Sequence, residues 1–276
     1  WQHLIKMDLV NNFSQNLPGL ELSNLVSIIG ALALASLRVG SFFLASPLFG
    51  YRIIPLQVRI VISFAISFII FNQVEMPNIE TLAGLPLFSI IFVELIIGLT
   101  SGILLTVLFS ASSLAGEKIA ASTGLSFAGL IDPESGTQTP VISQILSLFM
   151  IVVFLSLDGH LLALSVILES YKVLPIGATN INISMIQLGI DAGGLMFKFG
   201  ALIMLPVVVG ITLLNVVIGI VTRSAPTLNL FSFGFPITML FAFFLLYVCS
   251  ITIGGNFSNI TNVSIDFIHR LMEGLM

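Results

Sequence analysis

The sequence predicts an all-α protein of the membrane, a polytopic bundle of long, kinked helical hairpins. Three observations carry this expectation. Lys and Arg number 9 and Asp and Glu 13, so only 8% of the 276 residues are charged, against roughly 25% in a soluble domain. The hydrophobic fraction is 57% and the mean hydropathy +1.14, too apolar to cover a water-soluble globule of this size. The apolar residues come in long unbroken runs, not in the ten-residue alternating segments of barrel strands. A disordered chain is excluded because it would be polar and charged. A nucleic-acid binder is disfavoured by the net charge of −4 and the pI near 5.2, since phosphate contacts need a basic patch. The single cysteine, Cys249, allows no internal disulfide and no multi-thiolate metal site.

A spanning helix needs about 20 mostly apolar residues. Six runs reach or approach that length: about 25–50, 58–74, 85–116, 141–168, 195–222 and 230–255. The first run is too long for a signal-peptide core. The chain opens with Trp1, and Met7 is an equally good natural start. On six spans, Arg52, Arg59, Lys118 and Arg223 fall on one side and Lys6, Lys172 and Arg270 on the other. That small excess places the N-terminus outside the cytoplasm. Pro47, Pro55, Pro86, Pro206, Pro226 and Pro236 sit at or inside the runs. Proline removes a helical hydrogen bond and kinks or ends a helix, and the resulting breaks need cover from protein or a water-filled cavity. Pro55 and Pro226 read as helix ends. The segment after about 256 is Asn/Ser/Thr-rich and reads as a polar C-terminal tail. Its three Asn-x-Ser/Thr triplets, at Asn256, Asn259 and Asn262, read as composition and not as glycosylation sites.

The chemistry-bearing motifs of soluble enzymes are missing: no phosphate-binding GxxxxGK[ST], no GxGxxG, no HExxH and no CxxC. Any energy source therefore lies outside the chain, and the sequence calls for no cofactor and no metal. GLSFA at Gly124–Ala128 loosely follows a nucleophile elbow, with Asp158 and His160 later in the order of α/β-hydrolases. The strand–turn–helix context is absent around Ser126, and an intramembrane serine protease is a remote reading.

Five ionisable residues lie within apolar runs: Arg38, Glu94, Asp158, His160 and Lys198. A charge at membrane depth costs about 2.5–3.5 kcal/mol on insertion scales unless paired or solvated. The mixed signs suit pairing, Glu94 with Arg38 or with Lys198, more than a proton path. His160, in LDGHLL, reads as a helix-end hydrogen-bond donor, since no second histidine stands at ligand spacing. Gly98 and Gly102 form a GxxxG, and SASSLAG follows on the same helix and ends at Gly116. Small residues let helices approach closely in lipid, so these positions predict a packing face.

Segment 117–140, EKIAASTGLSFAGLIDPESGTQTP, is the most unusual. An ordinary exposed loop is polar, yet this one sets Leu125, Phe127, Leu130 and Ile131 among Gly124, Gly129 and Gly136. Glycines let the backbone move and apolar side chains exclude water, as in hydrophobic gates. A re-entrant turn packed permanently in the bundle fits the residues equally well.

The residues also carry a resemblance. RVGSFFLASPLFGYRIIPLQVRI (38–60) and EKIAASTGLSFAGLIDPESGTQTPVISQILSLFMIVVFLSLDGH (117–160) resemble the flagellar biosynthetic protein FliR family, export-gate proteins of type III secretion. ESYKVLPIG (169–177) and NLFSFGFPITML (229–240) fit its later parts, so the likeness covers nearly the whole chain in order. The GLSFA…DPESG…P block is its most specific element and points to the flagellar branch, with the virulence branch as the alternative. AAST (120–123) departs from the Gly-x-Gln-Met-like stretch of many relatives.

The resemblance implies a single export-gate domain over 1–276, with a fold like a fused FliP-like plus FliQ-like subunit. It implies partners of the FliP, FliQ and FlhB families and unfolded flagellar proteins as the exported substrate. The place would be the bacterial inner membrane, in the flagellar basal body. It further implies that segment 117–140 is a plug closing a central channel. Gly124, Leu125, Phe127, Gly129, Leu130 and Ile131 would form that gate without catalysis. The rival of another class is a stand-alone secondary transporter or channel using Glu94, Asp158 and Lys198 for ion coupling. Such transporters often carry internal repeats, and no convincing repeat is present.

Overall fold

In lipid a backbone must satisfy its own hydrogen bonds, which makes the helix the default for runs this apolar. The computed structural model describes residues 22–50, 54–71, 85–124, 140–177, 184–224 and 234–274, and in these the regular structure is helical. The helices are α1 (Leu22–Ala45), α2 (Leu56–Phe71), α3 (Leu85–Ser122), α4 (Val141–Ser156), α5 (Gly159–Val173), α6 (Ser184–Ser224), α7 (Phe235–Val248) and α8 (Ser250–Glu273). Their hydroxyl side chains are disposed of locally. Ser41, Ser67, Thr100, Ser101, Ser110 and Ser112 each donate to a carbonyl three or four residues back. A serine or threonine can thus sit in an apolar helix with its donor satisfied and no outside partner.

The expectation of six similar spans is corrected. Among the described residues three helices are long and apolar enough to cross a membrane, or up to five if each bent pair counts as one span. α3 has 38 residues and α6 has 41, where a bilayer needs about 20. α2, with 16 residues, is shorter than that. Pro47 and Pro55 fall between α1 and α2, as proline predicts, but the other breaks do not follow proline. Pro206 lies inside α6, which continues through it, and Pro236 sits in the first turn of α7, where a missing N–H costs nothing. The sharp bends fall elsewhere. α4 and α5 meet at 66° and α7 and α8 at 63°. The first bend turns on Asp158, whose φ of 54° is left-handed, and the second on Cys249. The segment expected to be a polar tail from 256 is the body of α8, which ends only at Glu273. Residues 117–122, assigned to the loop, complete α3.

The chain divides into two compact units, and the division runs through α3 and α5. The first comprises residues 1–102, 167–182 and 275–276, and the second 103–166 and 183–274. In the first unit α1 and α2 pack along their length. α2 is inverted relative to a soluble helix: it buries Ser63, Ser67 and Ile70 and exposes Val58, Val61, Phe64, Phe68 and Ile69. Gly40 of α1 faces Ser63, whose Oγ stands 3.5 Å from where a Cβ would be. Small side chains bring the backbones together while large ones face outward, as packing in lipid favours. In the second unit α8 packs on α6 and α4, and Phe149 of α4 meets Phe257 of α8 edge-on at 5.4 Å.

Candidate functional site

The first unit buries two full charges. Arg38 on α1 has no exposed surface and Glu94 on α3 is 1% exposed. They form a two-pronged pair: Arg38 Nε donates to Glu94 Oε2 at 2.8 Å and Nη2 donates to Oε1 at 3.0 Å. The planar guanidinium fork matches a carboxylate in this way, which adds geometric specificity to the charge attraction. Its remaining donors reach the end of α5. Nη1 donates to Ser170 Oγ at 2.9 Å and Nη2 to the Leu174 carbonyl at 3.0 Å. The guanidinium carbon lies 4.2 Å from the centre of the Tyr171 ring, within range of a cation–π attraction. Tyr171 in turn donates from its hydroxyl to the Ala35 carbonyl at 2.7 Å. One arginine therefore ties α1, α3 and the α5 terminus into a single satisfied network. Of the pairings open in the sequence, Glu94 takes Arg38.

Beside this pair the GxxxG does its packing. A Cβ on Gly98 would run into Ser41 Oγ and the Arg38 carbonyl, and one on Gly102 would come within 2.7 Å of the Ala45 Cβ and 2.8 Å of the Phe42 carbonyl. The glycines thus let α3 lie directly against α1, at the level where Glu94 must reach Arg38. In the second unit Gly116 plays the same part toward α4, where a Cβ would strike the backbone of Ser143. Ser113 and Ser147 share a hydrogen bond of 2.8 Å across the same contact, and Ser143 Oγ donates to the Ser113 carbonyl at 3.0 Å.

The other three ionisable residues are not gathered with these. Asp158 and Lys198 are exposed on the chain by itself, contrary to the expectation of burial, and His160 is half-buried. Asp158 stands in the turn between α4 and α5 and not on a helix face. Lys198 lies beside the exposed Phe197 on a face of α6 left open among the described residues. His160 is the second residue of α5, and its Nδ1 is buried without a hydrogen-bond partner among the described residues.

Of the gate residues, Gly124 is described, and Leu125, Phe127, Gly129, Leu130 and Ile131 lie outside the described residues, as does Ser126. Gly124 has φ +84° and the Phe235 ring packs where its Cβ would be. The preceding Thr123 carbonyl accepts from Thr238 Oγ1 at 3.2 Å. The root of the 125–139 segment is therefore fixed to the start of α7 through one glycine that turns the chain. Among the described residues no group of three His, Cys, Asp or Glu side chains could hold a metal. The sequence reading missed Ser170, Tyr171 and the Leu174 carbonyl. A Ser-Tyr pair between Glu169 and Lys172 at the end of α5 was the visible signal, and it named no partner.

Residues 29–263 match the family described as bacterial export proteins, family 1. The flagellar biosynthetic protein FliR of Escherichia coli (strain K12) is 30% identical over 203 residues, covering 74% of this chain and 77% of that protein. FliR of Bacillus subtilis (strain 168) is 28% identical over 258 residues, covering 91% and 98%. The surface presentation of antigens protein SpaR of Shigella flexneri is 28% identical over 221 residues, covering 78% and 85%. The match spans both units and takes in Arg38, Glu94, the three packing glycines and the whole 117–140 segment, so the chain belongs to the FliR family of bacterial export proteins.

Proposed function

We propose that the chain is a core subunit of the flagellar type III secretion export gate, which passes unfolded flagellar proteins across the inner membrane. The observation that carries this is the match over 29–263 together with near-complete coverage of flagellar relatives. Sister subunits of the FliP and FliQ families and a protein of the FlhB family are the partners this reading assigns. The apolar faces that α2 and α6 leave uncovered, Val61 and Phe68 on one and Leu213 and Val217 on the other, fit such neighbours and lipid.

The mechanism is gating, with no bond made or broken by the chain. Segment 124–131 obstructs the channel through Leu125, Phe127, Leu130 and Ile131, and Gly124 and Gly129 let it move aside. The turn at Gly124 and the tie from Thr238 to Thr123 support a loop anchored at its root. The Arg38–Glu94 network supports assembly, since it fixes three helix segments to one another.

The test is deletion of the gene in its source bacterium, a blot of the medium for hook protein, and a plasmid-borne copy as control. Loss of secreted hook protein, with the protein still made inside the cell, is the expected result. A motile deletion strain that still secretes it overturns the flagellar assignment. Loss of virulence-type secretion instead would favour the SpaR-like reading, for which the Shigella relative is the specific observation.

A further inference from the structure

α8 differs from the other helices of its unit in what it shows to the outside. The uncovered face of α6 carries Leu205, Val209, Leu213, Val217 and Ile220, and that of α7 carries Leu240, Phe244 and Tyr247. α8 buries a continuous apolar stripe, Ile253, Phe257, Ile260, Phe267, Ile268 and Leu271, against α6 and α4. Its opposite side exposes Thr252, Gly255, Asn259, Asn262 and Asp266. After Ile251 none of its large hydrophobic residues is exposed among the described residues. The spacing of three and four keeps these polar positions on one face.

Charge separates this face into two parts. From Ser250 to Ile265 the helix has no charged residue, and the charges begin at Asp266. Asp266 bridges Arg270 at 2.8 Å with both side chains more than half exposed. The neutral stretch from Thr252 to Asn262 is about 15 Å long, half the thickness of a bilayer core. It also lies at the depth of apolar surface. Phe257, two residues before Asn259, packs on Phe149 in the middle of α4, whose exposed neighbours are Ile145, Leu148 and Val152. Asparagine amides facing lipid at that depth would lose their hydrogen bonds. A helix lying on the membrane surface carries a Lys- and Arg-rich polar face, and this face has one cation, already tied to Asp266.

We infer that the neutral face of α8, through Asn259 and Asn262, lines a water-filled path and contacts an extended polypeptide in transit. The inference rests on the export-gate reading. An extended chain offers backbone N–H and C=O groups along its whole length. A carboxamide side chain both donates and accepts, so it can exchange hydrogen bonds with any backbone that passes. The lack of charge leaves the face indifferent to the sign of the passing side chains.

The experiment places a benzophenone amino acid at Asn259 or Asn262 in cells that assemble the complete gate. An export substrate carrying a tightly folded fusion domain is stalled in it. Light-dependent crosslinks to the stalled substrate from both positions are expected, and none from Leu213 or Val217 on α6. Crosslinks from 259 and 262 to lipid or to sister proteins alone, in cells that secrete the unfused substrate normally, overturn the placement. A deletion strain that secretes hook protein overturns the gate reading itself, which separates the two failures. As a second variant, Asn259→Leu with Asn262→Leu should lose secretion while the gate still copurifies, and Asn259→Ser with Asn262→Ser should keep it. Normal secretion by the double leucine variant also overturns the inference.

Discussion

Glu94→Ala is the perturbation with the largest calculable effect. It removes two of the four hydrogen bonds that Arg38 makes and the opposite charge in its network, while leaving the guanidinium with no exposed surface. Breaking a buried ion pair by deleting one partner costs about 3–5 kcal/mol, because the surviving charge stays buried. That is roughly two to four powers of ten in the folding equilibrium, and a large part of a total stability of about 5–15 kcal/mol. At about 2–4 °C per kcal/mol for chains of this order of size, the detergent-solubilised gate should melt roughly 6–20 °C lower. Glu94→Gln keeps the shape and one acceptor oxygen. Its cost should be nearer the ~1.5–3 kcal/mol of a hydrogen bond to a charged group. The informative control is the pair Arg38→Met with Glu94→Leu, because apolar replacement of both partners is often neutral or stabilising. Ser170 and the Leu174 carbonyl each lose a donor, while Ser170 still donates to the Ile167 carbonyl and Tyr171 to that of Ala35. The assay is copurification of tagged sister proteins together with thermal unfolding of the purified complex. The double variant should be more stable than Glu94→Ala alone. Costs that simply add, or a Glu94→Ala chain that assembles and melts like the parent, would refute the reasoning. A Glu94→Gln gate that is fully assembled but inert in export would point to a proton path through this carboxyl.

Four further outcomes follow from the geometry. Gly98→Ala should destabilise the complex by about 1–3 kcal/mol, the scale of overpacking, read as reduced copurification, because the new methyl meets the Arg38 carbonyl and Ser41. Tyr171→Phe keeps the ring over Arg38 and loses the 2.7 Å bond to the Ala35 carbonyl. Its cost should be about 1 kcal/mol, a small downward shift in melting that leaves export intact. Gly124→Ala forces a Cβ into a left-handed backbone and the Phe235 ring. At about 1–3 kcal/mol of local strain it should loosen the loop root and raise ion leakage through the closed gate. Phe127→Ala, or deletion within 124–132, should raise leakage further, measured as proton or dye entry into cells, and unchanged leakage on deletion would defeat the plug.

The sequence alone determined the class of molecule. With 8% charge and long apolar runs no soluble alternative can bury enough surface or cover what remains, and in lipid only internally bonded helices are left. It also named the residues that cost most at membrane depth, and two of them, Arg38 and Glu94, are joined. The family was legible because GLSFA, DPESG and the runs around them are local in the chain. What the sequence could not decide was anything set by partners distant along it. The third member of the Arg38 network stands 132 residues away at Ser170, and no pattern links the two. Their place in apolar runs made Asp158 and Lys198 look buried, but burial depends on which helix face meets a neighbour, and both are exposed among the described residues. The bends went to Asp158 and Cys249 and not to proline, because a proline early in a helix, or one the surrounding packing tolerates, need not end it. The segment from 256 looked like a tail because its composition is polar. Only packing on α4 and α6 gives that composition a buried side and an exposed one, and so makes it a helix.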